Sequence, residues 1–155
     1  MKLTYLTSAS VIIEDQDVKI LCDPWLLDGE FYGSWAHYPP LNFSPEEFNN
    51  VDYIYISHIH PDHCSIKTLN KMNKNIPVLI HNYYSKFLKN NIERLGYKVI
   101  EIDHNKRTHL KNNLHINILA ADNCNPELCH KYFGCSIVEN FFGSTSIDSM
   151  SVIDN

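Results

Sequence analysis

The residues best suited to chemistry fall in one heptapeptide, Ser57-His58-Ile59-His60-Pro61-Asp62-His63. It follows an apolar run that predicts a strand, and side chains two residues apart in an extended segment point the same way. His58 and His60 can therefore converge on one ion. Pro61 turns the backbone, so we expect Asp62 and His63 to face the same cavity from another direction, as ligands suited to a second ion. Neutral imidazole and carboxylate predict one or two Zn²⁺ ions, with Fe or Mn as further candidates.

A metal site of this kind would act on a bound water. It would lower the pKa of the water towards neutrality, hold the resulting hydroxide as a nucleophile and polarise the oxygen under attack. Asp62 is the candidate catalytic residue, because its carboxylate could orient that water or carry its proton. The alternative interpretation of the heptapeptide is a histidine-rich surface loop.

Asp23 is a candidate supporting residue. The run Val18–Cys22 predicts a strand that must end at Asp23-Pro24, because proline has no N–H for the ladder. A carboxylate in this position could accept the N–H of a metal-bound imidazole and so fix its tautomer. The alternative is a plain strand-ending aspartate before a proline.

The remaining elements predict a layered α/β fold with a mixed sheet, because strands come first, then strand–helix units, then strands again. Further strands are expected at 3–6, 11–14, 52–57, 76–80, 98–102, 107–110, 114–121 and 146–153. Helices are expected after Ser44, over 66–72 with Ser65 as the cap, and over 84–95 with Gly96 as the C-cap.

A long loop at 25–40 is rich in aromatic residues. A connection of this length inside a small domain is usually functional, and so many aromatic side chains disfavour disorder. It could line a pocket or pack as an inert flap. If it lines a pocket, the candidate substrate-binding residues are Trp25, Trp35, His37 and Tyr38.

Composition narrows the classes of protein. The 155 residues suit one domain with a core, and the net charge of −5 disfavours nucleic-acid binding, although two divalent cations would nearly cancel it. No apolar run could span a membrane and no secretory signal is evident, which favours the cytoplasm.

The odd number of scattered cysteines indicates free thiols. Histidines outside the heptapeptide are expected on the surface or in strands, among them His81, His104, His109 and His115.

The pattern His58-x-His60-x-Asp62-His63 resembles the His-x-His-x-Asp-His signature of the metallo-β-lactamase superfamily, and Asp23 matches that superfamily's first motif. The resemblance implies an αββα sandwich with metal ions at one edge of its two sheets. Segments 22–26, 38–40, 51–58 and 68–69 are most similar to the metallo-β-lactamase-like domain of CMP-N-acetylneuraminate hydroxylase and its bacterial relatives.

The resemblance also implies which ligands are present and which are absent. Asp122 falls at the third motif and is carried over as a metal ligand, with His130 as a weaker substitute. The last ligands of the superfamily would follow beyond 148–153, so the chain resembles a single, partial domain over 1–155 with an incomplete second half. The hydroxylases carry a Rieske domain with Cys-x-His elements, which this sequence lacks, so their oxygenase chemistry is not carried over.

Three functions remain open at this stage. The first is a metal-dependent hydrolase that attacks a phosphoester, lactone or ester bond of a small molecule. The second is a truncated or degenerate relative that binds metal weakly and does not catalyse. The third is a module that binds a sugar-nucleotide or a partner chain through the aromatic loop. A homodimer could complete the sheet, because an exposed strand edge invites pairing.

Overall fold

The structure, a computed structural model, describes residues 1–119 and the strand at 150–154, whose strands form two sheets. The larger sheet has the strand order β1 (Lys2–Thr7), β2 (Ser10–Asp15), β3 (Val18–Cys22), β4 (Tyr53–Ile56), β5 (Val78–His81) and β6 (Val99–Ile102). The smaller sheet has the order β7 (Thr108–His109), β8 (His115–Leu119) and β9 (Met150–Asp154). The helices within the described residues are α1 (Ile66–Lys71), α2 (Phe87–Arg94) and a 3-10 helix at Pro45–Phe48.

The first three strands form an antiparallel meander. Gln16 and Asp17 make the turn between β2 and β3 with φ of 50° and 58°, the left-handed pair of angles that suits a tight hairpin. Strand β3 then ends before Asp23-Pro24, as the sequence predicts. This end of β3 is the first of the strand ends on which the candidate site is built.

Strands β3 to β6 are parallel, with helices α1 and α2 in their crossovers. The central strands are buried on both faces, which explains their nearly continuous apolar runs. Side chains such as Ile54 and Ile56 face the helices, whereas Ile20 and Tyr55 face the second sheet. The helix layer therefore lies on one face of the large sheet and the small sheet on the other.

The small sheet is antiparallel. Its strand β8 alternates, so that Ile116 and Ile118 are buried in the core between the sheets while His115 and Asn117 are more exposed. The mixed α/β class with a layered, two-sheet architecture is thereby confirmed. None of the helices in the described part of the chain is long and apolar enough to cross a membrane.

Several element boundaries differ from the sequence prediction. Strand β5 begins at Val78 because Pro77 cannot donate to the ladder, and it extends to His81, which is buried at the strand end. Helix α2 begins at Phe87 and not at residue 84. Strand β4 ends at Ile56, so His58 and His60 lie beyond the ladder and not in an extended strand segment.

Candidate metal centre

The candidate centre lies at the carboxyl end of the parallel strands. Asp23 follows β3, Ser57 and His58 follow β4, and Tyr83 follows β5. The backbone N–H of Asp23 donates to the carbonyl of Tyr55, which brings the ends of β3 and β4 side by side. Clefts at the carboxyl ends of parallel strands are where α/β proteins commonly bind ligands.

Asp23 holds two segments of the chain together through its carboxylate. Its Oδ1 accepts the backbone N–H of Ser57 at 2.7 Å, and its Oδ2 accepts the Ser57 hydroxyl at 2.7 Å. Its Oδ2 also lies 2.9 Å from Nδ1 of His63. Because a carboxylate only accepts hydrogen bonds, His63 carries its proton on Nδ1 and has Nε2 for other contacts. Asp23 itself has a φ of 46°, a left-handed conformation that aspartate tolerates better than most residues.

The Ser57 hydroxyl fixes the tautomer of His58. That hydroxyl donates to Asp23, so it accepts the proton of His58 Nδ1, 2.9 Å away. The lone pair of His58 is then on Nε2, and this atom is buried without any hydrogen-bond partner. Tyr83 donates its hydroxyl to the backbone carbonyl of Ser57 and so holds the same segment from β5.

The two histidines differ in their affinity for protons. Burial, together with the neighbouring His63 and His60, lowers the pKa of His58 to about 3. Burial alone would also lower the pKa of His63, but its hydrogen bond to Asp23 and the charges of Asp23 and Asp62 raise that pKa above its ordinary value. His58 is therefore neutral at physiological pH, which is the form that binds a metal.

The geometry of the heptapeptide brings its imidazoles close to one another. The ring centroids of His58 and His60 are 5.0 Å apart, and those of His58 and His63 are 4.0 Å apart. Two imidazoles on one tetrahedral zinc ion would have centroids about 5 Å apart, given Zn–N bonds of about 2 Å. Asp62 Oδ2 lies 3.6 Å from His63 Nε2, while Asp62 Oδ1 is buried without a partner.

The donor atoms of these residues are suited to binding a divalent cation. Buried polar atoms in proteins nearly always have a partner. Both His58 Nε2 and Asp62 Oδ1 lack one, and both carry lone pairs that a cation would satisfy. Among the side chains that the structure describes, those of residues 1–119, however, no group of three or more His, Cys, Asp and Glu is arranged to hold a metal. Asp122, which the sequence offers as a further ligand, lies outside the described residues, as does His130.

The four candidate residues of the aromatic loop differ in how deeply they are buried. Trp25 and His37 are buried with their rings 4.0 Å apart, and their polar atoms are engaged. Trp25 donates its indole N–H to the carbonyl of Leu27, and His37 Nδ1 lies 2.6 Å from Asp28 Oδ1. In contrast, Tyr38 is 96% exposed. These contacts assign Trp25 and His37 to holding the loop together.

Trp35 belongs to a short hairpin within the loop. Glu30 and Trp35 face each other in an antiparallel bridge, and the Trp35 ring stacks on Phe31 with centroids 5.1 Å apart. Tyr32 at the tip is fully exposed. The hairpin therefore presents an aromatic surface to solvent.

Helix α1 anchors this loop beside the centre. Thr68 accepts the backbone N–H of Leu26 at 2.9 Å, and the helix-capping Ser65 donates its hydroxyl to Glu30 at 2.6 Å. Lys67 donates to the carbonyl of Gly29. Since α1 begins at Ile66, three residues after the end of the heptapeptide, the loop and the histidine cluster share one support.

Sequence reasoning missed the roles of two serines. Ser57 was visible only as the first residue of the heptapeptide, although its position at the end of a strand was a signal. Ser10 is fully buried, donates to the carbonyl of Asp23 at 2.7 Å and accepts the N–H of Trp25 at 3.0 Å. No local pattern marks Ser10, because its role depends on the pairing of β2 with β3.

Comparison with known families gives one match that covers most of the chain. The family model described as "Beta-lactamase superfamily domain" matches residues 2–130. A putative Rieske 2Fe-2S iron-sulfur protein of Mycolicibacterium smegmatis is 33% identical over 99 residues, which are 63% of this chain and 19% of that protein. The inactive cytidine monophosphate-N-acetylneuraminic acid hydroxylase of Homo sapiens is 37% identical over 87 residues, which are 53% of this chain and 17% of that protein.

Solved structures share the fold at lower identity. An isothiocyanate hydrolase from Delia radicum gut bacteria has a TM-score of 0.66 at 18% identity, over 92% of this chain and 54% of that one. A possible metal-dependent hydrolase from Veillonella parvula has a TM-score of 0.67 at 16% identity, over 98% of this chain and 57% of that one. The diiron β-hydroxylase CmlA from Streptomyces venezuelae has a TM-score of 0.52 at 21% identity, over 76% of this chain and 23% of that one. The chain thus spans just over half the length of the two hydrolases and less than a fifth of the two curated relatives.

Proposed function

This chain belongs to the beta-lactamase superfamily, and from that membership and the geometry of the cluster we propose that it is a metal-dependent hydrolase of small molecules. The bond attacked would be a phosphoester, a lactone or another ester. The observation that carries the proposal is the orphaned Nε2 of His58, buried with its lone pair free while Ser57 occupies Nδ1.

In this proposal, His58, His60, Asp62 and His63 hold one or two ions, and Asp122 is a further ligand. The bound cation would supply Lewis-acid activation of a water and of the substrate oxygen. The described residues support such a role by their protonation states: His58 stays neutral, and Asp23 keeps the proton of His63 on Nδ1.

Asp62 is proposed as the catalytic residue. One of its oxygens lies near His63 Nε2, and the other has no partner within the described part of the chain. A carboxylate with one unengaged oxygen can orient a water or accept its proton. Zinc suits the imidazole and carboxylate donors, and iron is the alternative, since one structural relative is a diiron hydroxylase.

Substrate contacts are proposed for the aromatic loop. Tyr38 and Trp35 offer ring surface for stacking, whereas Trp25 and His37 are already engaged in the loop and would position it. Aromatic faces give a pocket much of its binding energy, while a few polar groups set orientation.

The test combines metal content with turnover of an aryl phosphodiester and a lactone. Bound metal, turnover that a chelator abolishes, and loss of both in His60→Ala would support the hydrolase. The matched control is His104→Ala, which removes an exposed histidine outside the cluster and should retain turnover. Undiminished turnover in His60→Ala would contradict the proposal, and a single weakly bound ion without turnover would instead indicate a degenerate relative.

A sugar-nucleotide binding function is the second candidate. It is favoured by the exposed aromatic hairpin and by the similarity of this chain to a cytidine monophosphate-N-acetylneuraminic acid hydroxylase. Binding of CMP-N-acetylneuraminate without turnover, weakened in Trp35→Ala, would support it. Tyr5→Ala is the control, because Tyr5 is an exposed aromatic residue on β1.

A further inference from the structure

A second pair of histidines lies far from the heptapeptide in sequence, on the β7–β8 hairpin. His109 and His115 are paired directly across the two antiparallel strands. Directly paired residues project from the same face of a sheet. Their ring centroids are 5.1 Å apart, close to the separation of about 5 Å for two imidazoles on one tetrahedral ion.

The turn between these strands fixes the tautomer of both rings. Nε2 of His109 lies 2.6 Å from the carbonyl oxygen of Asn112, and Nδ1 of His115 lies 3.0 Å from that of Asn113. A carbonyl only accepts, so each of these nitrogens carries the proton. The lone pairs are therefore on His109 Nδ1 and His115 Nε2. Backbone carbonyls orient metal-binding histidines in this same way.

The turn is itself held in place by the larger sheet. Lys111 Nζ lies 2.7 Å from Asp52 Oδ1, and Asn112 Nδ2 donates to the carbonyl of Gln16 at 2.8 Å. The turn that carries the two orienting carbonyls is thus held by two residues outside the hairpin, Gln16 in the β2–β3 turn and Asp52 just before β4. A site whose ligands are fixed in advance loses less conformational entropy when it binds an ion.

The neighbouring strand adds an acidic residue at the same register. On the other side of His115, strand β9 places Asp154 as the residue paired with it. The order across the small sheet at this level is therefore His109, His115, Asp154. The register thus places the histidine pair next to an acidic position, and imidazole nitrogens are donors typical of a zinc-class site.

We propose that His109 and His115 form a surface site for a divalent transition cation of the zinc class. This site is separate from the candidate metal centre and does not depend on the proposed hydrolase activity. A bound ion would link β7 to β8 and stabilise the small sheet, because an ion that binds only the folded state favours that state.

The probe is Zn²⁺ alone, added to the full chain and followed by nitrogen chemical shifts of the histidine side chains. We expect large changes at His109 Nδ1 and His115 Nε2, with the partner nitrogens remaining protonated. No change at these two nitrogens at saturating Zn²⁺ would overturn the proposal. The readout distinguishes this site from the heptapeptide, since each nitrogen is observed separately.

Variants provide the second measurement. His109→Gln and His115→Gln should each lower the affinity of this site for Zn²⁺ more than about tenfold, while leaving ions at the other centre bound. His104→Gln is the matched control, and Zn²⁺ binding equal to the wild type in the His109→Gln/His115→Gln double variant would overturn the site itself.

Discussion

Oδ2 of Asp23 lies 2.9 Å from Nδ1 of His63, although these residues are 40 positions apart in the sequence. The contact joins the end of β3 to the turn after β4 and fixes the proton of an imidazole at the candidate centre. It is the arrangement by which a carboxylate raises the basicity of a metal-binding histidine.

Replacing Asp23 by Asn should weaken metal binding by roughly 10- to 100-fold, because the amide cannot accept all three hydrogen bonds that reach the carboxylate. Metal titration of the folded variant measures this. Asp28→Asn is the matched control, since Asp28 also contacts a histidine but lies in the loop, and it should bind metal as the wild type does. Equal affinities for Asp23→Asn and wild type would contradict the supporting role.

Ser57→Ala should allow His58 to adopt both of its neutral tautomers. Without the hydroxyl, His58 Nδ1 loses its acceptor and Asp23 loses one donor. We expect the Nε2–H tautomer to become populated in nitrogen NMR spectra, with metal affinity reduced about tenfold. Ser34→Ala, which removes an exposed hydroxyl in the hairpin, should change neither quantity.

Ser10→Ala should destabilise the fold by about 1–3 kcal/mol, because it leaves the buried N–H of Trp25 without its acceptor. Urea denaturation measures the loss as a lower midpoint at unchanged slope. Ser8→Ala makes the same chemical change at an exposed position and should stay within about 0.5 kcal/mol of wild type. A similar midpoint for both variants would show that the bridge by Ser10 contributes little.

Asp52 provides a pH-dependent contribution to stability. Burial alone would raise its pKa, but hydrogen bonds from Lys111 and from the backbone of Lys19 outweigh burial and hold the pKa below its ordinary value. A carboxyl whose pKa is lower in the folded state stabilises the protein above its unfolded pKa, about 3.9, and loses this contribution as pH falls through the folded pKa.

Asp52→Asn should therefore cost about 1 kcal/mol at pH 7, and the difference from wild type should shrink as the pH is lowered below about 4. Denaturation curves at several pH values measure it. Asp17→Asn is the control, as an exposed aspartate for which a difference within about 0.5 kcal/mol is expected at every pH. A cost of Asp52→Asn that is the same at pH 3 and pH 7 would refute the role of its charge.

Local sequence rules predicted the elements and the contiguous part of the candidate centre. The strand Val18–Cys22 was predicted with its observed bounds, because proline ends a ladder wherever it occurs. The cap of α1 by Ser65 also follows from a local rule. The grouping of His58, His60, Asp62 and His63 is guaranteed by their spacing within six residues.

Local rules offer Asp23 as a candidate supporting residue, whereas tertiary structure decided which contacts it makes and which other residues support that group. Pairing of β3 with β4 in parallel aligns Cys22 with Tyr55, so that Asp23 meets Ser57 across 34 residues of sequence. The burial of Ser10, the engagement of His37 inside its loop and the pairing of His109 with His115 likewise depend on contacts between distant segments. Composition and periodicity describe each strand by itself, whereas hydrogen-bond register between strands arises only when the whole sheet assembles around its buried faces.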